Sequence, residues 1–165
     1  MKRNLLIVSV VITMLFFCFS GFSGTHVVSS KTGFDNAIKT TAPGDTILWK
    51  TGVYHDIYMV IGNSQLVIAA EVPGKVIFTG NSKALINGNH NTLNGFQFLS
   101  GNIGSDEVIV INGSYNHITQ VNIKDYDCTK YLVINSAGEH NTVSYCNLEH
   151  RANSADKNIL SILVN

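Results

Sequence analysis

Charge is scarce in this sequence, and what there is cancels. Eleven lysines and arginines stand against 11 aspartates and glutamates, and charged residues make up 13% of the chain, against roughly 25% in an ordinary globular domain. Sparse, balanced charge supplies no basic field to attract nucleic acid or an anionic membrane. Long apolar runs are lacking too. Leu5 to Phe19 falls short of the roughly 20 apolar residues that span a bilayer. Cysteine is limited to three residues, and one of them, Cys18, lies inside that run.

What the amino terminus does contain is the pattern of a secretory leader. Lys2 and Arg3 are a basic start, Leu5 to Phe19 the apolar stretch, and Ser20, Gly21, Ser23 and Gly24 small residues for cleavage. Residues 1–24 therefore read as a signal peptide, with an uncleaved anchor as the alternative. Large residues, Leu15-Phe16-Phe17, precede Cys18, unlike the small ones before a lipoprotein cysteine. The expectation is a secreted or periplasmic protein with no stable membrane insertion after cleavage. Cys128 and Cys146 remain; Cys146 falls on an inward position of the repeat that favours a small buried apolar residue, with a disulfide, which such a compartment permits, as the alternative.

About 140 residues follow the leader, enough for one domain with its own core. Asparagine, glycine and β-branched residues replace the missing charge, a balance that favours strands and turns over helices.

The chain repeats. Asn87-Gly-Asn-His-Asn-Thr-Leu-Asn-Gly-Phe-Gln-Phe98, Asn112-Gly-Ser-Tyr-Asn-His-Ile-Thr-Gln-Val-Asn-Ile123 and Ala137-Gly-Glu-His-Asn-Thr-Val-Ser-Tyr-Cys-Asn-Leu148 align without gaps at an offset of 25. The columns are Gly88, Gly113, Gly138; Asn91, Asn116, Asn141; Leu93, Ile118, Val143; Phe96, Val121, Cys146; and Phe98, Ile123, Leu148. Glycine and asparagine suit a sharp turn that needs left-handed backbone. The apolar columns alternate with polar residues, as on one face of short strands. Further strand-like runs, Ala84 to Ile86, Val108 to Ile111 and Tyr131 to Ile134, precede each turn.

Short strands between turns in a coil of about 25 residues predict an all-β, single-stranded right-handed parallel β-helix over residues 25–165, its coils stacked at about 4.8 Å. An antiparallel sandwich has no reason to keep translational columns. Leu93, Ile118 and Val143 are expected to form one buried ladder, and Phe98, Ile123 and Leu148 another. Phe34 to Lys39 reads as a short amphipathic helix capping the first coil. Pro43 to Asp45 reads as a turn, Thr46 to Trp49 as a strand and Thr51 to Tyr54 as another turn. Val67 to Ala69 and Lys75 to Phe78 complete the early coils. Asn158 to Asn165 is an apolar strand with nothing after it to cap the core, so the chain reads as a fragment, the N-terminal coils only.

Four stretches stand out in order along the chain: Pro43-Gly44, Gly52-Val53-Tyr54-His55-Asp56, Pro73-Gly74-Lys75-Val76-Ile77-Phe78-Thr79-Gly80 and Gly113-Ser114-Tyr115-Asn116-His117-Ile118-Thr119. Together they resemble polysaccharide lyase family 6, the group of chondroitinase B and many alginate lyases. The resemblance runs from about Val27 to the last residue and implies β-elimination on an anionic, uronate-containing polysaccharide, alginate or chondroitin/dermatan sulfate, by a monomer. It also implies Ca²⁺ in the complete enzyme to neutralise the uronate carboxylate, a lysine base and an assisting arginine. The family carries these on later coils.

At the columns where a catalytic coil would place its lysine stand Asn87, Asn112 and Ala137, none of which accepts a proton from carbon at neutral pH. Asp106 and Glu107 are adjacent, so on a strand they point to opposite faces. This chain is therefore expected to hold no catalytic residue, no metal site and no cofactor, and to be inactive alone. Glu107, Asn112 and Lys130, on or beside the strands before the turns, are the candidate substrate contacts. His90, Tyr115 and His140 share a column that reads as a stack of planar rings at a turn, with a metal site as the alternative. Lys124-Asp125-Tyr126-Asp127 reads as a solvated turn. His150 and Arg151 fall in a loop after the last repeat and read as ordinary surface residues, with contact between the arginine and an anionic glycan as the alternative. The alternative function is a non-catalytic glycan-binding or surface-structural β-helix.

Overall fold

The computed structural model describes residues 23–135, 137–149 and 160–165. Nearly all of the expected signal peptide, Cys18, the expected His150–Arg151 loop with Asn153 and Ser154, and the start of the expected last strand lie outside the described residues. Among those described, no helix is long and apolar enough to cross a membrane.

Strand β1 (Thr25–Val28) and helix α1 (Lys31–Thr40) precede five coils of three strands. The coils are β2 (Thr46–Trp49), β3 (Gly52–His55) and β4 (Tyr58–Ile61); β5 (Val67–Ala70), β6 (Val76–Gly80) and β7 (Lys83–Ile86); β8 (Thr92–Asn94), β9 (Phe96–Gly101) and β10 (Glu107–Ile111); β11 (His117–Thr119), β12 (Asn122–Lys124) and β13 (Lys130–Ile134); and β14 (Thr142–Ser144), β15 (Asn147–Glu149) and β16 (Leu160–Val164). The first strands of the coils pair in parallel with β1 into one sheet, the second strands into another and the third strands into a third. This is a parallel β-solenoid with about 25 residues per coil.

The predicted ladders are register partners. Ile118 pairs with Leu93 and Val143, and Ile123 with Phe98 and Leu148. Leu93, Phe98, Ile118 and Ile123 are buried, whereas Val143 and Leu148 on the outermost described coil are half-buried.

Helix α1 begins at Ser30, whose hydroxyl accepts from the Gly33 N–H at 3.0 Å, a side-chain cap of the usual kind. It lays Phe34, fully buried, on Trp49 with ring centroids 5.8 Å apart. Covering the ring contributes about 1.5–3 kcal/mol and closes the first coil. From Trp49 an aromatic file continues through Phe78 to Phe98 and Tyr126. Cys128 is buried and Cys146 half-buried, both as thiols; burial pushes the Cys146 thiol up from its ordinary value.

Three expectations need correction. Gly52 to His55 is a strand rather than a turn, because Gly52 and Tyr54 are held in register by Val76 and Phe78. The glycine column does not supply left-handed backbone: that conformation belongs to His90, Tyr115 and His140, with φ of 57°, 59° and 55°. The glycines are needed for close approach instead. A Cβ on Gly88 would stand 1.8 Å from the Asn63 carbonyl oxygen, and one on Gly113 2.0 Å from that of Gly88.

The asparagines of the adjoining column point inward and serve the preceding coil. Leu66 N–H donates to Asn91 Oδ1, Asn91 N–H to Asn116 Oδ1, and Asn116 N–H to Asn141 Oδ1, at 2.8–2.9 Å. Each side chain thus satisfies a backbone donor that the turn leaves without a sheet partner.

Ala137, thirdly, does not hold the column of Asn87 and Asn112. The backbone N–H of Asn135 donates to the Ile111 carbonyl as that of Asn112 does to Ile86, so Asn135 occupies the column of Asn87 and Asn112. The coil is 23 residues long at the end of the strand, and the turn after it restores the offset of 25.

Candidate functional site

The third sheet carries the candidate contacts. Glu107 opens β10, Lys130 opens β13, and the two are register partners. Their side chains meet as an ion pair, Lys130 Nζ to Glu107 Oε1 at 2.9 Å. Asn112 lies at the opposite end of β10, so the structure brings Glu107 and Lys130 together and leaves Asn112 apart from them.

Asn112 belongs to an outer row of amides. Its Nδ2 donates to Asn87 Oδ1 at 2.7 Å, Asn135 Nδ2 donates to Asn112 Oδ1 at 2.6 Å, and Asn165 Nδ2 to Asn135 Oδ1 at 3.2 Å. From the second coil on, one amide per coil follows from strand register, because each asparagine comes directly after the last residue of its strand. The gapless alignment hid Asn135 and Asn165; an asparagine after each apolar run was the signal that finds them.

Two further groups were not singled out from the sequence. Lys83, which opens β7, forms an ion pair with Asp106, and its Nζ lies 4.8 Å from the Tyr58 ring centroid. Beside it, Asn81, Lys83, Asn102, Ile103, Gly104 and Asp106 line a cavity of about 380 Å³.

His90 and Tyr115 stack with centroids 4.8 Å apart and planes within 4°, and Tyr115 stacks on His140 at the same distance. The row of planar rings is thus present, at an exposed turn. Lys124 to Asp127 is not a solvated turn throughout. Tyr126 is fully buried against Phe98, its hydroxyl donates to the Ser82 carbonyl at 2.9 Å, and Asp127 pairs with Asn102 across coils. Burial pushes the Tyr126 phenol far above its ordinary value. Lys124 instead reaches Glu149 at 2.8 Å; each raises or lowers the other's pKa in the direction that keeps the pair charged.

A Ca²⁺ site needs six to eight oxygen ligands around one point. Among the described residues, no three His, Cys, Asp or Glu side chains converge to hold a metal. The carboxylates nearest the third sheet, Asp106 and Glu107, are each held by a lysine. The described residues do not suit the ion.

A capped parallel solenoid with ion pairs and an amide row along one sheet defines a β-helix protein with a polar sheet face. Residues 28–164 match the family model of chondroitinase B, and the chain belongs to that family. No curated protein matches the chain. Among solved structures, the PL6 family alginate lyase AlyGC superposes with a TM-score of 0.66 at 24% identity, over 72% of this chain and 18% of that one. A PL6 family polysaccharide lyase from Pseudopedobacter saltans gives a TM-score of 0.61 at 17% identity, over 84% of this chain and 41% of that one. The chain therefore spans less than half the length of these neighbours.

Proposed function

We propose that the chain supplies the N-terminal coils of an exported, monomeric lyase that cleaves a uronate-containing polysaccharide, alginate or chondroitin/dermatan sulfate, by β-elimination. In this reading the coils contact the anionic polymer, with Glu107, Asn112 and Lys130 on the contact surface. The lysine base, the arginine and any Ca²⁺ belong to coils beyond this sequence.

The observation that carries the reading is family membership over residues 28–164. The chemistry of the third sheet supports the division of labour. Asn87, Asn112 and Asn135 are amides bonded to one another, and an amide is no general base for a carbon-bound proton at neutral pH. The leader pattern of residues 1–24 supports export, and the balanced charge supplies no basic field for nucleic acid.

The 165-residue chain, incubated with alginate or dermatan sulfate and Ca²⁺, is expected to release no unsaturated uronate, followed by its ultraviolet absorbance. Enzyme-dependent release would overturn the placement of the reacting groups. Genomic sequence past the last codon is expected to continue the coil columns and to bring a lysine and an arginine onto the third sheet. A stop codon there would favour the non-catalytic glycan-binding or surface-structural β-helix.

A further inference from the structure

The turn from the second sheet to the third lengthens partway along the solenoid. It takes two residues in the first two coils, 56–57 and 81–82, and five in the next two, 102–106 and 125–129. The cavity of about 380 Å³ lies at this step, between the short turn at Asn81 and the longer loop 102–106.

That loop is held in shape. Gly104 N–H donates to Asn102 Oδ1 at 3.0 Å and Asp106 N–H to the Ile103 carbonyl at 3.1 Å. From the next coil, Thr129 Oγ1 donates to the Ser105 and Asp106 carbonyls at 3.1 and 3.2 Å. Lys83 is placed by Asp106 on one side and the Tyr58 ring on the other. The cavity volume falls within the range of small-ligand sites, about 300–1,000 Å³.

Its polar groups are of mixed kind. The Asn81 side-chain amide, with no partner among the described residues, both donates and accepts; Lys83 donates three hydrogens; Asp106 only accepts. A compact inorganic anion would offer Asp106 no donor to accept from, and an apolar ligand would leave polar groups unmatched. A pyranose ring bearing hydroxyls and one carboxylate answers all three.

We propose that this cavity is a saccharide subsite that takes one uronate unit of an anionic polysaccharide, its carboxylate toward Lys83 and its hydroxyls on Asn81 and Asp106. The proposal rests on the reading of these coils as a polymer-contacting part of a uronate lyase, and adds a location to it. Lys83 and Lys130 each open a strand of the third sheet, two strand spacings or roughly 10 Å apart, so a polymer running along the solenoid axis meets both.

The test is calorimetric titration of the full chain with oligouronates prepared from alginate and from dermatan sulfate, and with neutral cello-oligosaccharides as the charge-free control. Asn81→Ala and Lys83→Met alter exposed or half-exposed side chains, and their folding is checked by circular dichroism. Each is expected to weaken oligouronate binding about tenfold, the loss expected for a charged or well-placed hydrogen bond. Lys124→Met, on the second sheet, should leave it within about twofold because an exposed pair contributes little. Oligouronate binding that neither cavity variant weakens would overturn the subsite and leave the glycan reading intact. Absence of binding by the parent chain would overturn both, and equal binding of the neutral sugar would overturn the uronate assignment.

Discussion

Lys130 and Glu107 are register partners on adjacent strands, and their side chains close to 2.9 Å. Each therefore cancels charge that the other would offer to a polymer crossing the third sheet. Their side chains remain 27% and 29% accessible, so solvent screens the pair and its contribution to stability is about 0–1 kcal/mol. Glu107→Gln is expected to melt within a few degrees of the parent while binding oligouronates more tightly. Lys130→Met should bind them more weakly. Calorimetric titration of the three proteins checks this, and equal affinities would remove Lys130 from the contact surface.

Asp45 ties the strand before the helix to the first coil. It is almost fully buried, and its carboxylate accepts from the N–H groups of Ala42 and Gly24 at 2.8 and 2.5 Å and meets His26 Nε2 at 3.2 Å. The Ala42 N–H, then that of Gly24, then His26 hold the carboxyl below its ordinary range. A depressed folded pKa means that this stabilisation is complete above the unfolded value, near 3.9, and is lost as pH falls toward the folded one. The melting temperature should therefore drop on acidification below about pH 4. Asp45→Asn should melt lower at neutral pH and show a flatter curve in that window, measured by thermal circular dichroism. Parallel curves would assign the acid sensitivity to other carboxylates.

The solenoid was legible because stacking imposes translation on sequence: Leu93, Ile118 and Val143 recur at the coil length and are register partners. What stayed hidden depends on pairing across coils. Gly52 and Thr51 look like turn residues locally, yet β6 draws Gly52 to His55 into a strand. Asn135 was missed because the shortened coil and the longer turn after it cancel in a gapless alignment. The cavity was invisible because it arises from a difference in loop length between neighbouring coils, which no single repeat carries. Glu107 and Lys130 were found as residues, but their pairing needed the register.

The inner and outer asparagines should respond differently to truncation. Asn116 is 1% exposed and accepts the buried N–H of Asn91 at 2.9 Å. Asn116→Ala leaves that donor without a partner and should cost about 1–3 kcal/mol. Asn112 shares its amide bonds at a half-exposed position, where water replaces a lost partner, so Asn112→Ala should cost about 0.5 kcal/mol or less. Urea unfolding read by circular dichroism separates the two. Equal losses would mean that the inner row carries no special share of stability.

Two glycines offer a contrast between close approach and backbone strain. Gly113 has ordinary backbone, but a Cβ there would lie 2.0 Å from the Gly88 carbonyl oxygen, a backbone atom that moves only if the two coils part. Gly113→Ala should therefore cost more than about 3 kcal/mol, in the class of severe overpacking. Gly104 has φ of +62° and nothing within 4 Å of its would-be Cβ. Gly104→Ala meets only the left-handed penalty, about 1–2 kcal/mol, and Gly104→Asn should recover part of it because asparagine tolerates that region. Thermal melts of the three variants give the order, Gly113→Ala lowest, then Gly104→Ala, then Gly104→Asn. A Gly113→Ala protein that melts with the parent would show that the coils can separate at this turn without loss, and would sink the close-approach account of the glycine column.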